Sequence, residues 1–315
     1  MINLKVFAVA TTIALTIAGA SYAEGVEMKD GKPVIHFCTG TKSGNYDFAG
    51  KEIARRLQGT FAFIPVRTNG SRDNMEKVRD GQCQWGFTQG DVAEKMLLDD
   101  PAIRNEVIKV AKVYREAFHV VCNRSSKVDR ITDIPKNGLK VYGAADGSGT
   151  AETLRILFGA DTKTYSSIER DPTTGIEALR NVKDEIDGAG CYAIMSGVNS
   201  DLMVSADMFS VNTPNHKPSL KLINVNDRDM EKLQTYDGKP MYEFLSLNTA
   251  GFFSGKGIYK NLLQDDIKVP TTTAYFVMNA DWKTANKGLI PRIEQAINDA
   301  TPTINKKVAP SDQLN

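Results

Sequence analysis

The chain has 315 residues, with 39 lysines and arginines against 38 aspartates and glutamates, and 41% of its residues are hydrophobic. This hydrophobic fraction excludes an intrinsically disordered chain, and the length favours two domains. The formal net charge of +1 argues against a protein that binds nucleic acid through bulk charge, because such proteins usually carry a basic excess.

The first 23 residues have the three parts of a secretory signal peptide. Lys5 lies in a short polar start, an apolar run occupies residues 6–19, and residues 21–23 are Ser-Tyr-Ala, with small side chains at the positions that a signal peptidase reads. The apolar run is shorter than the roughly 20 residues that a membrane-spanning helix needs, which argues against a membrane anchor. We therefore predict an exported protein whose signal peptide is residues 1–23.

Between this signal peptide and residue 98, short apolar runs alternate with amphipathic stretches. In chain order the pattern predicts strand 34–38, helix 48–57, strand 61–66, helix 73–78, strand 85–88 and helix 92–98. Strands that alternate with helices in this way predict a parallel sheet with right-handed crossovers.

A second series of the same kind lies between two markedly apolar strands, which we predict over residues 117–122 and 273–278. In chain order the series comprises strand 139–144, helix 151–158, helix 174–182 and strands 189–195 and 220–225, and a last helix over 290–300 follows the second apolar strand. The pattern therefore predicts an α/β protein with two sheets that are joined by two extended crossings.

The four cysteines are Cys38, Cys83, Cys122 and Cys191. In an exported protein an even number permits two disulfides, with three possible connectivities, and buried free thiols are an equal alternative. The chain has only three histidines, and none of the cysteines forms a C-x-x-C motif, so a zinc site has a poor supply of ligands. We predict neither a metal site nor a cofactor.

Clusters of Gly, Ser, Thr and Asn follow the predicted strands. They are TGTKSGNY at 39–46, TNGSRDN at 68–74, TQGD at 88–91 and DGSGT at 146–150. In open α/β sheets, ligands bind outside the carboxyl ends of the strands, and the N–H groups at the helix N-termini there bind anions. The alternative is that each cluster is an ordinary turn with a helix N-cap. Their equivalent positions favour a single anion-binding site.

No catalytic motif accompanies these clusters. Ser148 lies in Gly-Ser-Gly, which lacks the spacing of the G-x-S-x-G nucleophile elbow, and neither G-x-G-x-x-G nor a Walker motif is present. His36 and His119 fall within predicted strands, where we expect hydrogen-bonded core histidines, and His216 falls in a polar loop. We predict that the protein is not an enzyme, and a secreted serine hydrolase that uses Ser148 is the alternative.

Taken in order, these clusters resemble the TAXI family of TRAP transporter solute-binding proteins (the TRAP-transporter-associated extracellular immunogenic group). The resemblance extends to about residue 200 and rests on Gly44 and Tyr46, Gly70-Ser71 with Asn74, Asp80-Gly81, Gln89 with Asp91, and the Gly-Ser-Gly-Thr of residues 147–150. It implies a periplasmic binding protein fold of type II. Such a fold has two lobes, each a mainly parallel sheet flanked by helices, two hinge strands, and a ligand closed into the cleft between the lobes.

The resemblance also implies a division of the chain and a location. We predict lobe 1 from residues 24–118 plus 277–315 and lobe 2 from residues 119–276, with the strands 117–122 and 273–278 as antiparallel hinge strands. The mature protein is expected in the periplasm, as a monomer that binds no nucleic acid.

The function that the resemblance implies is capture of a small organic anion and its delivery to the membrane subunits of a TRAP transporter. A binding protein for an ABC importer is the closest alternative. The implied ligand is a glutamate-like amino acid, a dicarboxylate or a 2-oxo acid, although the sequence departs from the family pattern at Asn45 and over 242–269. The predicted ligand-binding residues are Thr41, Ser43, Tyr46, Asn69, Ser71, Gln89, Ser148, Gly149, Thr150 and Tyr192. Arg115 is a further candidate for gripping a carboxylate, and a solvated arginine is the alternative.

Overall fold

The structure, a computed structural model, describes residues 27–184, 190–197, 211–212, 217–247 and 267–308. The predicted signal peptide, His216 and most of the 242–269 segment lie outside these residues. Within them, no helix combines the length and the apolar character that crossing a membrane requires.

In the first series of elements, strands that pair in parallel alternate with helices, as predicted. Its elements are β1 (Met28–Lys29), β2 (Lys32–Cys38), α1 (Asn45–Leu57), β3 (Ala62–Val66), α2 (Ser71–Arg79), β4 (Trp85–Gln89), α3 (Gly90–Asp99) and α4 (Ile103–Glu106). Strand β2 pairs in parallel with both β3 and β4, so the carboxyl ends of these three strands meet at one edge of the sheet.

The second series is built from shorter strands. Its elements are α5 (Asp133–Lys136), β6 (Val141–Tyr142), α6 (Gly149–Ala160), α7 (Thr162–Tyr165), β7 (Arg170–Asp171), α8 (Gly175–Asp184), β8 (Cys191–Ser196), β9 (Val211–Asn212), β10 (Lys217–Pro218), β11 (Leu220–Leu222) and β12 (Glu243–Leu247). Strand β6 pairs in parallel with β7 and β8, which again brings strand ends and helix N-termini together.

Two long strands connect the two series. They are β5 (Val107–Asn123) and β13 (Ile267–Asn279), and they pair antiparallel from Ala117 opposite Thr271 to Val107 opposite Asn279. Strand β13 also pairs with β4, and β5 also pairs with β8. In the described residues the two predicted sheets are therefore one hydrogen-bonded sheet of eleven strands.

The two predicted hinge segments lie in neighbouring antiparallel strands, as predicted, but they are offset along the sheet. Residues 117–122 of β5 lie opposite residues 191–196 of β8, whereas residues 273–278 of β13 lie opposite residues 108–115 of β5. The two apolar segments are thus neighbours in the sheet without facing each other. The reason is length: both strands extend well beyond their apolar runs, through polar residues such as Lys109 and Lys112.

The described hydrophobic side chains form three buried clusters. Two of them together form what we call lobe 1. One contains side chains of β2, β4 and α1 and also takes in the C-terminal helix α10 (Ile290–Val308), which follows α9 (Ala280–Ala285), and the other contains side chains of α2 and α3 with Cys38 and Cys83. The third cluster, which we call lobe 2, contains side chains of α6, α8, β8 and β12. The predicted lobe boundaries, which fall within β5 and β13, stay a prediction.

The cysteines form two disulfides. Cys38 at the end of β2 is bonded to Cys83 just before β4, and Cys122 of β5 is bonded to Cys191 of β8. Each bond therefore lies within one lobe, and both join segments that are already neighbours in the sheet. Of the two alternatives that the sequence left open, the structure has the disulfides rather than free thiols.

Candidate functional site

A cavity of about 510 Å³ lies between the two lobes. Lobe 1 contributes the loops that follow β2 and β3 and the end of β4, and lobe 2 contributes the loops that follow β6 and β7 together with β8. All ten residues that the sequence analysis selected line this cavity, namely Thr41, Ser43, Tyr46, Asn69, Ser71, Gln89, Ser148, Gly149, Thr150 and Tyr192. Their part in binding a ligand stays a prediction.

The N-termini of four helices open onto the cavity. Helices α1, α2, α6 and α8 begin at Asn45, Ser71, Gly149 and Gly175, and each of these residues lines the cavity wall. The first N–H groups of a helix have no acceptor within the helix, and the helix dipole places partial positive charge there. Four such ends give the cavity a positive potential without a basic side chain, which suits an anion.

A chain of hydroxyl and amide groups lines the lobe 1 wall. The hydroxyl of Tyr46 lies 3.1 Å from Ser71 Oγ, and Ser71 Oγ donates to Gln89 Oε1 at 3.0 Å. Gln89 in turn donates from Nε2 towards Thr153 Oγ1 of lobe 2 at 3.5 Å. These groups sit where three parallel strands end, which explains why residues far apart in the chain meet here.

The two lobes also contact each other directly around the cavity. Asn45 Nδ2 donates to Ser196 Oγ at 2.9 Å, and Arg72 pairs with Glu152 at 3.3 Å. The backbone of Gly70 packs so close to Ser148 and Gly149 that a Cβ at Gly70 would lie 3.1 Å from the Gly149 nitrogen. The two lobes are therefore in close contact around the cavity, and the backbone of Gly70 leaves no room there for a side chain.

A buried carboxyl group near the lobe interface belongs to this arrangement. Asp91 Oδ2 accepts hydrogen bonds from Thr153 Oγ1 at 2.6 Å and from Tyr242 hydroxyl at 2.9 Å, both from lobe 2. Burial raises the pKa of Asp91, while the hydrogen bonds from Thr153 and Tyr242 oppose that effect. Asp91 therefore links α3 of lobe 1 to Thr153 and Tyr242 of lobe 2.

On the lobe 2 side, the predicted residues already hold parts of the wall in place. Ser148 caps α6 by accepting from the Ala151 N–H at 3.0 Å, and Thr150 Oγ1 accepts from the Met195 N–H at 3.0 Å. Tyr192 hydroxyl accepts from the Gly175 N–H at 3.1 Å, and burial raises the Tyr192 pKa to about 12. Each of these hydroxyls keeps a proton that it can donate into the cavity.

Tyr114 and Glu116 on β5 are among the residues of the cavity wall that the sequence analysis missed. Glu116 is 4% exposed, and its two oxygens lie 3.3 Å from the hydroxyls of Tyr46 and Tyr114. Burial raises the Glu116 pKa to about 8, the nearby Asp91 adds to the effect, and the two tyrosine hydrogen bonds oppose it. The available signal was an acidic residue directly before the apolar run 117–122.

The sequence analysis chose the neighbouring Arg115 instead, and that choice is a correction. Side chains alternate between the two faces of a strand, so Arg115 and Glu116 point in opposite directions. Arg115 does not line the cavity, and its guanidinium pairs with Glu243 of β12 at 2.5 Å. It is therefore not placed to grip a ligand there.

One of the histidine predictions also needs correction. His36 is one-third exposed and lies 3.6 Å from Glu27 on the surface. His119 is fully buried as predicted, and burial lowers its pKa to about 4, while the backbone of Ala117 and Ile194 opposes that shift. Neither of these two histidines is hydrogen-bonded to Ser148, so the described residues do not form a Ser-His pair at the cavity.

Asp47 of α1 fixes the first loop of the cavity. Its buried carboxylate accepts the Ser43 N–H at 2.9 Å and pairs with Arg67 at 2.5 Å and Lys51 at 2.8 Å. Burial by itself raises the Asp47 pKa, but the hydrogen bonds from Lys51, Arg67 and Ser43 outweigh it and lower the pKa to about 2. The ionised form is therefore the one that the folded protein stabilises.

We expect Asp47→Asn to lower the free energy of unfolding by about 2 kcal/mol at pH 7. A depressed pKa contributes stability above the unfolded-state value near 4, and this contribution is lost as the pH falls towards 2. Urea unfolding at pH 7 measures the loss of stability, and the same measurement at pH 3 tests its pH dependence. The variant should lose less stability than the wild type when the pH is lowered from 7 to 3. Asp299→Asn on the exposed side of α10 is the control, with an expected change within about 0.5 kcal/mol.

Comparison with known proteins places this geometry in context. A family model described as the NMT1-like family matches residues 37–243. A solved structure described as a periplasmic transporter is 14% identical, with a TM-score of 0.52 over 88% of this chain and 88% of that one. A Candida albicans protein, CA3427, described as having the generic periplasmic binding protein fold, is 10% identical, with a TM-score of 0.50 over 87% of this chain and 72% of that one.

At these identities the two structures bear on the fold alone. They confirm the predicted fold class, an α/β periplasmic binding protein fold with mainly parallel strands flanked by helices. The cavity between the lobes lies at the carboxyl ends of those strands, where ligands bind in open α/β sheets.

Proposed function

Because the chain belongs to the NMT1-like family, we propose that it is a periplasmic solute-binding receptor that captures a small organic anion between its lobes. One observation carries the proposal. The N-termini of four helices, two from each lobe, line one cavity of about 510 Å³, a volume suited to a small molecule. A site that is shared between lobes favours the closed form when it is filled, since the ligand gains contacts on both sides.

The hydrogen-bond donors of the cavity wall, rather than charged side chains, support an anion as the ligand. Among the described residues that line it there is no lysine, arginine or histidine. Binding would rest on backbone N–H groups at the helix ends and on hydroxyl donors such as Ser43, Ser148 and Thr150. Such donors satisfy a carboxylate by hydrogen bonds, which agrees with the dicarboxylates, 2-oxo acids and glutamate-like amino acids that the TAXI resemblance implies.

Delivery to a TRAP transporter is the finer part of the proposal, and its support is the resemblance of residues 39–46, 68–74, 88–91 and 146–150 to the TAXI group. A binding protein for an ABC importer shares the fold. The transport genes beside this one distinguish the two, and so does uptake of ligand into vesicles that hold the membrane subunits. Uptake that requires ATP would support the ABC importer, and uptake without ATP supports the TRAP transporter.

A receptor that releases its ligand unchanged needs no nucleophile, and we propose that Ser148 binds rather than reacts. Its Oγ accepts the Ala151 N–H as a helix cap, and it has no described histidine as a base. Ser148→Ala is expected to weaken binding several-fold, with no turnover of esters or amides by either protein. Turnover that depends on Ser148 would instead support the hydrolase.

A thermal-shift screen tests the proposed receptor function. Dicarboxylates, 2-oxo acids, amino acids, sugars and polyamines are tested one at a time against the mature protein. We expect at least one carboxylate to raise the melting temperature, because a ligand at a hundredfold excess over its Kd adds about 2.7 kcal/mol to the free energy of unfolding. Stabilisation by polyamines or neutral sugars, with none by any carboxylate, would contradict the anion site.

A further inference from the structure

Glu116 is an unexpected group for a cavity that is built to take an anion. Among the described lining residues it is the one acidic side chain, and it is 4% exposed. It belongs to the long strand β5, which connects the lobes, so it lies deep in the cavity rather than on a loop at its rim. An ionised carboxylate there would compete with the ligand for the same positive helix ends.

Among the described residues, no cation faces Glu116 to pair with it. Tyr46 faces it from α1, Tyr114 from its own strand, and the carboxyl group of Asp91 from the start of α3, where Tyr242 also donates to Asp91. The tyrosines are neutral donors, and Asp91 repels a second negative charge. Burial, Asp91 and the expected ligand thus disfavour the ionised form of Glu116, and they outweigh the two tyrosine hydrogen bonds, which favour it.

We infer that Glu116 binds the ligand as a neutral carboxylic acid, and that the site selects carboxylates without an ammonium group and holds one proton together with them. The inference rests on the proposed function and narrows its ligand class to dicarboxylates and 2-oxo acids. The Glu116 O–H donates a hydrogen bond to a ligand carboxylate oxygen, and no covalent bond changes. An ammonium group would need an ionised Glu116 as its partner, and it would meet the positive ends of four helices.

The ionisation behaviour of the free protein agrees with this geometry. Burial raises the pKa of Glu116 to about 8, with Asp91 adding to the effect, so the neutral acid predominates at pH 7. A ligand that requires the neutral acid raises this pKa further when it binds. Affinity then falls as the pH rises above 8, by up to about tenfold for each pH unit.

Matched ligand pairs test the selection against an ammonium group. 2-Oxoglutarate is compared with L-glutamate, and succinate with L-aspartate, by titration calorimetry at pH 7. The members of each pair differ only in the group at the 2-position. We expect the member without the ammonium group to bind at least about tenfold more tightly in each pair that binds. Tighter binding of the amino acids would overturn the inference and leave the receptor function standing.

The pH dependence of the ligand Kd tests whether Glu116 holds a proton in the complex. With the tighter-binding acid, wild-type Kd is expected to stay constant from pH 6 to 7.5 and to rise about tenfold between pH 8 and 9.5. Calorimetry in two buffers of different ionisation enthalpy at pH 8.5 should show uptake of part of a proton on binding. Affinity that rises with pH, or binding without proton uptake at pH 8.5, would overturn the inference without any variant.

The Glu116→Gln variant distinguishes the effect of ionisation at this position from the effect of the hydrogen bond to the ligand. Its amide keeps a donor but cannot ionise, so we expect neither the rise in Kd above pH 8 nor proton uptake. Glu243→Gln is the matched control, because this exposed carboxylate lies outside the cavity, and it should keep the wild-type pH profile. A pH profile in Glu116→Gln identical to the wild type would also overturn the inference. If none of the four acids bound the wild type, the inference would be overturned, and the thermal-shift screen would decide the receptor function separately.

Discussion

Gly149→Ala is expected to weaken ligand binding by about a hundredfold or more, equivalent to at least about 2.7 kcal/mol. Gly149 is the first residue of α6, where lobe 2 meets lobe 1. A Cβ there would overlap Gln89 Oε1 and would lie 2.5 Å from Gln89 Cδ and 2.7 Å from Ser71 Oγ. Its backbone φ is not in the left-handed region, so the effect would come from the added methyl group and not from backbone strain. The methyl group should hold the lobes apart and break the Ser71–Gln89–Thr153 contacts.

Titration calorimetry with the best carboxylate from the thermal-shift screen measures this effect, and small-angle scattering measures the closure. Gly159→Ala is the matched control, because Gly159 lies in the same helix and a Cβ there would meet nothing within 4 Å. We expect it to bind like the wild type and to be slightly more stable, since alanine favours a helix over glycine. If Gly149→Ala bound the ligand as tightly as the wild type does, the prediction would be wrong, because ligand binding would then not depend on close contact between the lobes at Gly149.

Trp85→Ala is expected to lower the free energy of unfolding by about 3–5 kcal/mol. Trp85 begins β4, is fully buried, and lies at the centre of an aromatic cluster with Phe61 and Phe276 at ring-centroid distances of 5.3 and 5.5 Å. Its removal would leave a cavity beneath the strand that carries Gln89 to the site. Urea unfolding followed by far-UV circular dichroism gives the change.

Trp282→Ala provides the comparison for that loss. Trp282 is the other tryptophan of the chain and packs on Trp85 at 5.4 Å, but it is only partly buried at the edge of the same core. We expect it to cost less than half as much stability as Trp85→Ala, because less apolar surface leaves the core. Equal losses at the two positions would contradict the placement of Trp85 at the centre of lobe 1.

The loops of the site were predictable because their signals are local. A strand that ends in a cluster such as TGTKSGNY and continues into a helix places N–H groups and hydroxyls at a known edge of a parallel sheet. That rule alone selected Ser43, Asn69 and Ser148, and the structure brings them to one cavity. Helix starts were less accurate: α1 begins three residues before the predicted residue 48.

Features that depend on distant partners were not predictable in the same way. The pairing of β5 with β8 sets Cys122 beside Cys191, and nothing in the local sequence chooses that connectivity among three. The role of Glu116 depends on which face of β5 meets the cavity. The sequence does not show which face that is, because residues 116–123 are buried on both faces of the strand and their side chains do not alternate between apolar and polar. Strand β5 extends beyond its apolar run, and the polar residues of that extension are paired with β13.

The central claim is that the loops at the helix N-termini bind the ligand, and calorimetry on three single variants tests it most directly. The strongest stabilising carboxylate is titrated into Ser43→Ala, Asn69→Ala and Thr150→Ala, which sample two loops of lobe 1 and the start of α6. We predict that each variant folds, binds one ligand and loses about tenfold to a hundredfold in affinity, as expected when a hydrogen bond to a charged group is removed. Unchanged affinity in all three variants would contradict the site.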